Sequence, residues 1–213
     1  MNNSYVDVWN ELHKDFISKN EMKYDDWLNE FEEIILNVNS EIIDLGCGVT
    51  GNNTLYLLEK GKNVLSCDFA EEALKSVAKI KNSKTLLFDM LETFPFENEI
   101  ADLVIADLSL HYFKKKDTER IISEIKRILK PNGYLLFRVN SINSTEFKKL
   151  LDSGEKEIEP HLFFNKNMEK RFFSEEDIKK FFEEWEFICI REENMDRWCS
   201  DKIIWKCAVK KTN

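Results

Sequence analysis

Carboxylates recur in the first half of this chain wherever a short apolar run ends. Asp44 follows Ile42-Ile43, Asp68 follows Val64 to Cys67, Asp89 follows Leu86-Leu87-Phe88, and Asp107 follows Leu103 to Ala106. After the first of them stand Gly46, Gly48 and Gly51, spaced G-x-G-x-x-G, and then a helix-like run from Leu55 to Lys60. β-Branched residues before such a turn suit a buried strand. Strand, glycine turn and helix together are where an open α/β sheet holds a nucleotide-like ligand. Asp44, two residues before the first glycine, narrows the ligand. A dinucleotide site offers N–H groups and a helix N-terminus to a pyrophosphate. A carboxylate aimed into that turn repels an anion and suits a ligand bearing an ammonium and a sulfonium. The same glycines could serve only to pack a tight turn. Asp68, 22 residues beyond Gly46, stands where a carboxylate can accept both hydroxyls of a ribose. It could also cap the helix that follows it.

The groups placed to take a proton are His111, His161 and Asp107. A neutral imidazole does so near neutral pH, although His111 could equally do no more than order its loop. Tyr112 and Phe113 shape a pocket wall, and Tyr112 and Arg138, the latter ending a strand on the ligand side of the sheet, are expected substrate contacts together with His161 and Arg171. His161 and Arg171 lie among aromatics in the long segment after that strand, a composition suited to a substrate wall or a stapled hydrophobic cluster. No Ser/His/Asp or Cys/His arrangement for a covalent intermediate stands out.

The elements that must position these residues follow from periodicity. Val6, Trp9, Leu12, His13 and Phe16, and then Trp27, Leu28, Phe31, Ile34 and Ile35, recur at helical steps, so residues 1–40 read as two amphipathic helices. Strands are expected near Ile42-Ile43, Asn63–Asp68, Lys84–Phe88, Ala101–Ala106, Tyr134–Val139, Phe187–Arg191 and Ile203–Val209. Helices are expected over Glu71–Lys81, around Ile121–Leu129, and from a Ser174 cap to Trp185. Lys130-Pro131-Asn132-Gly133 should stop a helix and turn the chain into the fifth strand. About thirty residues, 142–173, then form a loop long enough to be functional or disordered.

Asp44-Leu45-Gly46-Cys47-Gly48 resembles the first motif, Asp/Glu-x-Gly-x-Gly, of the class I S-adenosylmethionine-dependent methyltransferases. The block Asp107 to Phe113 resembles the form found in small-molecule enzymes of that family. It lacks both prolines of the Asn/Asp-Pro-Pro-aromatic motif carried by enzymes that methylate amino groups of nucleic acids. Leu129 to Leu136 resembles the family's helix-to-strand corner. The resemblance covers residues 41–140 in detail and 174–210 at the level of fold. It implies an α/β, Rossmann-like, doubly wound seven-stranded sheet of order 3-2-1-4-5-7-6, with the seventh strand antiparallel. The methyltransferase domain would span 41–213, behind a helical cap at 1–40 and with 142–173 as a substrate-side insertion. It implies S-adenosylmethionine as cofactor, held by Asp44, Gly46, Gly48 and Asp107. Asp68 would take the ribose, Phe69 would stack on adenine, and Asp89 with the Met90 backbone would meet the adenine edge. Trp9 and Phe16 would close a lid. Methyl transfer from a sulfonium needs positioning and exclusion of water more than a nucleophile motif. The expected acceptor is a small molecule, with a protein side chain also open. The competing readings are a non-catalytic S-adenosylmethionine-binding module and a nicotinamide-dependent oxidoreductase.

Composition sets outer bounds. The 213 residues, 43% hydrophobic and 33% charged, suit one globular domain with a full core. A formal charge of −9 argues against a nucleic-acid partner, since such affinity depends on clustered Lys and Arg. The run Lys114-Lys115-Lys116 reads as a solvated face. Five cysteines, at 47, 67, 189, 199 and 207, give no disulfide framework and no zinc spacing. Reduced thiols and a polar N-terminus suit the cytoplasm. No stretch approaches the roughly 20 apolar residues of a membrane helix.

Overall fold

A computed structural model describes residues 3–19, 25–165, 167–195 and 202–212. Cys199 lies outside the described residues. The parallel strands are β1 (Ile42–Leu45), β2 (Val64–Asp68), β3 (Lys84–Leu87), β4 (Ala101–Asp107) and β5 (Leu129–Asn140). The helices following β1, β2 and β4 are α3 (Asn52–Glu59), α4 (Glu71–Val77) and α5 (Lys115–Ile128). Before them come α1 (Asn3–Lys19), a 3-10 turn (Trp27–Phe31) and α2 (Glu32–Leu36). After β5 come α6 (Thr145–Asp152), the short strands β6 (Glu157–Glu159), β7 (Leu162–Asn165) and β8 (Met168–Arg171), then α7 (Glu175–Phe181), β9 (Trp185–Asn194) and β10 (Ile203–Lys211). The main sheet has the order β3-β2-β1-β4-β5-β10-β9, and β10 is antiparallel to both its neighbours. With the inserted strands set aside, this is the expected order.

Successive residues of the central strands go to opposite faces. Ile43, Val104, Ala106, Leu135 and Phe137 pack with Ile121 and Ile125 of α5, Ile178 of α7 and Phe182 just after it. Ile42, Leu103, Ile105 and Leu136 pack with Trp27, Leu28, Phe31, Ile35 and Leu57. Both faces are therefore covered, as a parallel sheet requires. Several expectations change: the second N-terminal helix is a 3-10 turn running into the short α2, and the helix that Ser174 caps stops at Phe181, leaving Trp185 to open β9. The helix after β2 stops at Val77 rather than Lys81. The corner at Pro131 sits inside β5, where the pairing slips between Ala101–Leu129 and Leu103–Tyr134. Four residues bulge there, so Pro131 owes the ladder no N–H. Residues 142–173 are not a loop: they hold α6 and an antiparallel sheet of order β6-β7-β8, stapled by Phe147, Leu150, Phe163 and Phe172.

Candidate functional site

The strand order reverses between β1 and β4, and a cavity of about 380 Å³ opens at the carboxyl ends of the strands around that point. This is the place where open α/β sheets bind ligands. Its floor is the turn after β1, which carries three positive-φ glycines. Gly46, at φ +72°, lies so close to the loop after β4 that a Cβ would come within 2.5 Å of the Ser109 Cβ. The Ser109 hydroxyl in turn donates to the Leu45 carbonyl at 2.8 Å. At Gly48, φ +61°, an added Cβ would meet nothing within 4 Å. The first glycine is a packing necessity; the second leaves space in the cavity wall.

Asp44 is fully buried, just beneath that wall. Asn53, which lines the cavity, donates its Nδ2 to Asp44 Oδ1 at 3.1 Å, and Asp44 Oδ2 has no hydrogen-bond partner. Burial, with Asp107 and Asp68 nearby, pushes this carboxyl up to about 7, despite the help from Asn53. A buried acceptor without a donor is uncommon and costly. A ligand group that donates a hydrogen bond, directly or through a water, would fit this oxygen. Asn53 is itself held by the Trp27 indole, which donates to its Oδ1 at 3.0 Å. Asn52 and Asp25 exchange two more bonds, at 2.9 and 3.1 Å. The chain entering the second N-terminal helix is thus fastened to the first turn of α3, under the site.

Asp68 lines the cavity and accepts from the Gly48 and Ala70 backbone N–H groups at 3.0 and 2.9 Å. Burial raises its pKa, and those N–H groups oppose the shift. Each carboxylate oxygen keeps a further lone pair for a hydroxyl. Phe69, Asp89 and Met90 line the same end. Trp9 on α1 also lines the cavity, with its ring edge-on to Phe69 and Tyr112 at 6.2 and 4.8 Å between centroids. Phe16 lines it too.

The expected proton carriers and substrate contacts divide. Asp107 and Tyr112 line the cavity. Arg138 does not: it lies behind Asp107, gripping it through two bonds of 2.7 and 2.8 Å, pairing with Asp25 at 2.6 Å and stacking on Trp27. His111 is buried beside Tyr112 with neither ring nitrogen bonded, and burial holds its pKa well down. It is a neutral packing group outside the lining. His161 faces away, its Nδ1 2.7 Å from Asp177 Oδ2, and that carboxylate also closes the capping box on Ser174 at the start of α7. Arg171 is a buried pin. Its backbone N–H donates to the His111 carbonyl at 2.7 Å, and its guanidinium donates to the Phe113 and Pro160 carbonyls and pairs with Glu159. It fixes the inserted sheet to the loop after β4.

Lining residues that the sequence reading passed over include Tyr5, His13, Met168 and Lys202. His13 was legible, since it stands one turn after Trp9 on the same helical face. Burial lowers its pKa, and Asp68 pulls it back up. Met168 and Lys202 carried no local signal; only the folded insertion and the β9–β10 pair bring them in.

The methyltransferase domain family matches residues 43–137, the span holding the glycine turn, Asp68, Asp89 and Asp107. YqeM of Bacillus subtilis is 38% identical over 123 residues, 55% of this chain and 49% of YqeM. A malonyl-[acyl-carrier protein] O-methyltransferase of Hamiltonella defensa is 28% identical over 142 residues, 66% of this chain and 50% of that protein. A tRNA N(3)-methylcytidine methyltransferase of Schizosaccharomyces pombe is 27% identical over 173 residues, 73% of this chain and 67% of its own length. The chain spans about half the length of the first two relatives. Among solved structures, the 1,6-didemethyltoxoflavin-N1-methyltransferase of Burkholderia thailandensis, with its substrate and S-adenosylhomocysteine bound, superposes with a TM-score of 0.68. It is 16% identical and covers 100% of this chain and 91% of the other. Motif and sheet order agree with these matches: residues 43–137 match the methyltransferase domain family, and the chain has the fold of solved S-adenosylmethionine-dependent methyltransferases.

Proposed function

We propose that this protein transfers a methyl group from S-adenosylmethionine to a small-molecule acceptor. The observation that carries the reading is the cavity at the strand-order reversal, with a fully buried Asp44 oxygen waiting beneath it for a donor. The cofactor, when bound, supplies a methyl group already activated by a sulfonium charge. Asp44, through its open oxygen, favours the cationic end of that ligand over a phosphate. Gly48 lets it approach the turn. Asp68 accepts from the ribose hydroxyls, Phe69 lies against the adenine, and Asp89 with the Met90 backbone meets the adenine edge. Asp107, its charge balanced by Arg138, faces the ammonium side rather than acting as a base. Residues 1–40 act as a cap in which α1, through Trp9 and Phe16, keeps water out. Residues 142–173 form the acceptor-side wall through Met168. Excluding water and aligning the acceptor supply the catalysis, since aligned groups gain several kcal/mol of barrier lowering.

A broad panel of amines, thiols, phenols and carboxylic acids, incubated with the cofactor, tests the reading. Release of S-adenosylhomocysteine dependent on one acceptor class supports the enzyme. Tight cofactor binding with no release for any member favours the non-catalytic module.

A further inference from the structure

Tyr5 and Trp9 stand one turn apart on α1, so both side chains leave the same face of the helix. Both line the cavity, and both meet Phe69, the residue after Asp68. They meet it differently. Trp9 stands edge-on, at 81°. The Tyr5 ring lies nearly parallel to Phe69, at 22°, with 6.0 Å between the centroids. Rings in full face contact lie about 3.5–4.0 Å apart, so these two do not cover one another. A planar base held between two parallel rings needs about 7 Å, which is two such contacts. An outward shift of Tyr5 by about 1 Å makes that room. The shift meets little resistance. The Tyr5 hydroxyl is buried and makes no hydrogen bond among the described residues. Burial raises its pKa, the neighbouring Trp9 indole opposes the rise, and Glu169 and Asp89 add to it. The phenol therefore stands within reach of Asp89, which lines the same end of the cavity. Tyr5 lies outside the core clusters. Helix α1 is tied to α4 further along, where Asn10 Oδ1 accepts from the Glu72 N–H at 3.2 Å and Lys14 pairs with Glu72 at 3.9 Å. Phe69, by contrast, is fixed to the sheet: its neighbour Asp68 ends β2 and accepts from the Ala70 N–H at 2.9 Å.

We propose that Tyr5 and Phe69 clamp the two faces of the cofactor's adenine, so that the base itself holds α1 over the cavity. The inference rests on the methyltransferase reading above and deepens it: Tyr5 is a positioning residue, and the adenosyl end of the cofactor, rather than its amino-acid end, closes the lid. The test uses wild type, Tyr5→Phe and Tyr5→Leu. Each is titrated calorimetrically with S-adenosylhomocysteine. Hydrogen exchange across residues 3–19 is then followed with saturating 5′-methylthioadenosine, which carries the base, and with homocysteine, which does not. An aromatic face on a base is worth enough that Tyr5→Leu should bind S-adenosylhomocysteine at least about fivefold more weakly. Tyr5→Phe, which keeps the ring, should stay within about twofold of wild type. 5′-Methylthioadenosine should slow exchange in α1 of wild type and Tyr5→Phe, and much less in Tyr5→Leu. Homocysteine should slow it in none. Any of three results overturns the proposal. Tyr5→Leu binds S-adenosylhomocysteine as wild type does; Tyr5→Phe loses as much as Tyr5→Leu, which assigns the effect to the hydroxyl; or homocysteine protects α1 as well as 5′-methylthioadenosine does. Should Tyr5→Leu fail to fold, the contrast between the two ligands on wild type still decides. A wild type that binds neither S-adenosylhomocysteine nor 5′-methylthioadenosine sinks the methyltransferase reading instead, so the two failures are separable.

Discussion

At the scale of single residues, Asp44 carries a measurable conflict between folding and binding. Its carboxyl titrates near 7 in the folded protein, against an ordinary value of 3.8. Between about pH 4 and 7 the unfolded chain has released this proton and the folded chain has not. Stability therefore falls as pH rises through that window, by on the order of 4 kcal/mol. Asp44→Asn removes the conflict while keeping the shape. The unliganded variant should be more stable than wild type at pH 8, and the difference should vanish near pH 4 in denaturant titrations. The same variant should lose at least about tenfold in S-adenosylmethionine affinity. Wild-type affinity should rise from pH 6 to 8, because an ammonium partner favours the ionised carboxylate. The two glycines separate just as clearly. Gly46→Ala drives a Cβ into Ser109 at a left-handed φ and should cost about 2–4 kcal/mol of stability. Gly48→Ala should cost about 1 kcal/mol, for its φ alone, yet weaken the cofactor through the methyl it places in the cavity. Chemical denaturation beside calorimetry distinguishes the two. The glycine spacing and Asp44 were legible in the sequence because a tight turn leaves few residue choices. Which glycine packs and which faces the ligand was not, since that depends on where Ser109, more than sixty positions away, comes to lie.

At the scale of elements, α1 and the inserted sheet are the parts that vary the site without holding up the main core. Trp9→Ala removes two edge-on aromatic contacts, each worth about 0.5–1.5 kcal/mol. Because Trp9 lies outside the core clusters, the variant should melt near wild type but bind the cofactor several-fold more weakly. Arg138 behaves in the opposite way. Arg138→Met strands Asp107 and Asp25 without their shared cation and should cost about 3–5 kcal/mol in denaturant unfolding. The sequence reading took Arg138 and Arg171 as substrate contacts because charged residues at a strand end or among aromatics fit a pocket. The fold uses both as buried ties, and nothing local to either residue distinguishes a tie from a ligand: the partners Asp25, Asp107 and Phe113 are remote in sequence. The segment 142–173 was misread for a related reason. Strands of three or four residues give too short an alternation to stand out, and only their mutual pairing makes them a sheet.

At the scale of the whole molecule, the elements were legible because apolar runs, a proline-glycine corner and amphipathic helices alternate along the chain, whereas the sheet order came from the family resemblance alone. What the alternation could not reveal is the mouth of the cavity. That mouth is assembled from α1, the loop after β4, β8 and the start of β10, elements separated by most of the chain. A ligand gripped by so many elements should stabilise them all together. At a concentration a hundredfold above its dissociation constant, S-adenosylmethionine should add about 2.7 kcal/mol, which is roughly 5–10 °C in Tm for a chain of this size. The most direct test of the central claim is a calorimetric titration of the purified protein with S-adenosylmethionine, run beside reduced nicotinamide cofactor. We expect micromolar binding of the first, strongly weakened in Asp44→Asn, and none of the second. Binding of the nicotinamide cofactor, or S-adenosylmethionine binding indifferent to Asp44, would contradict it.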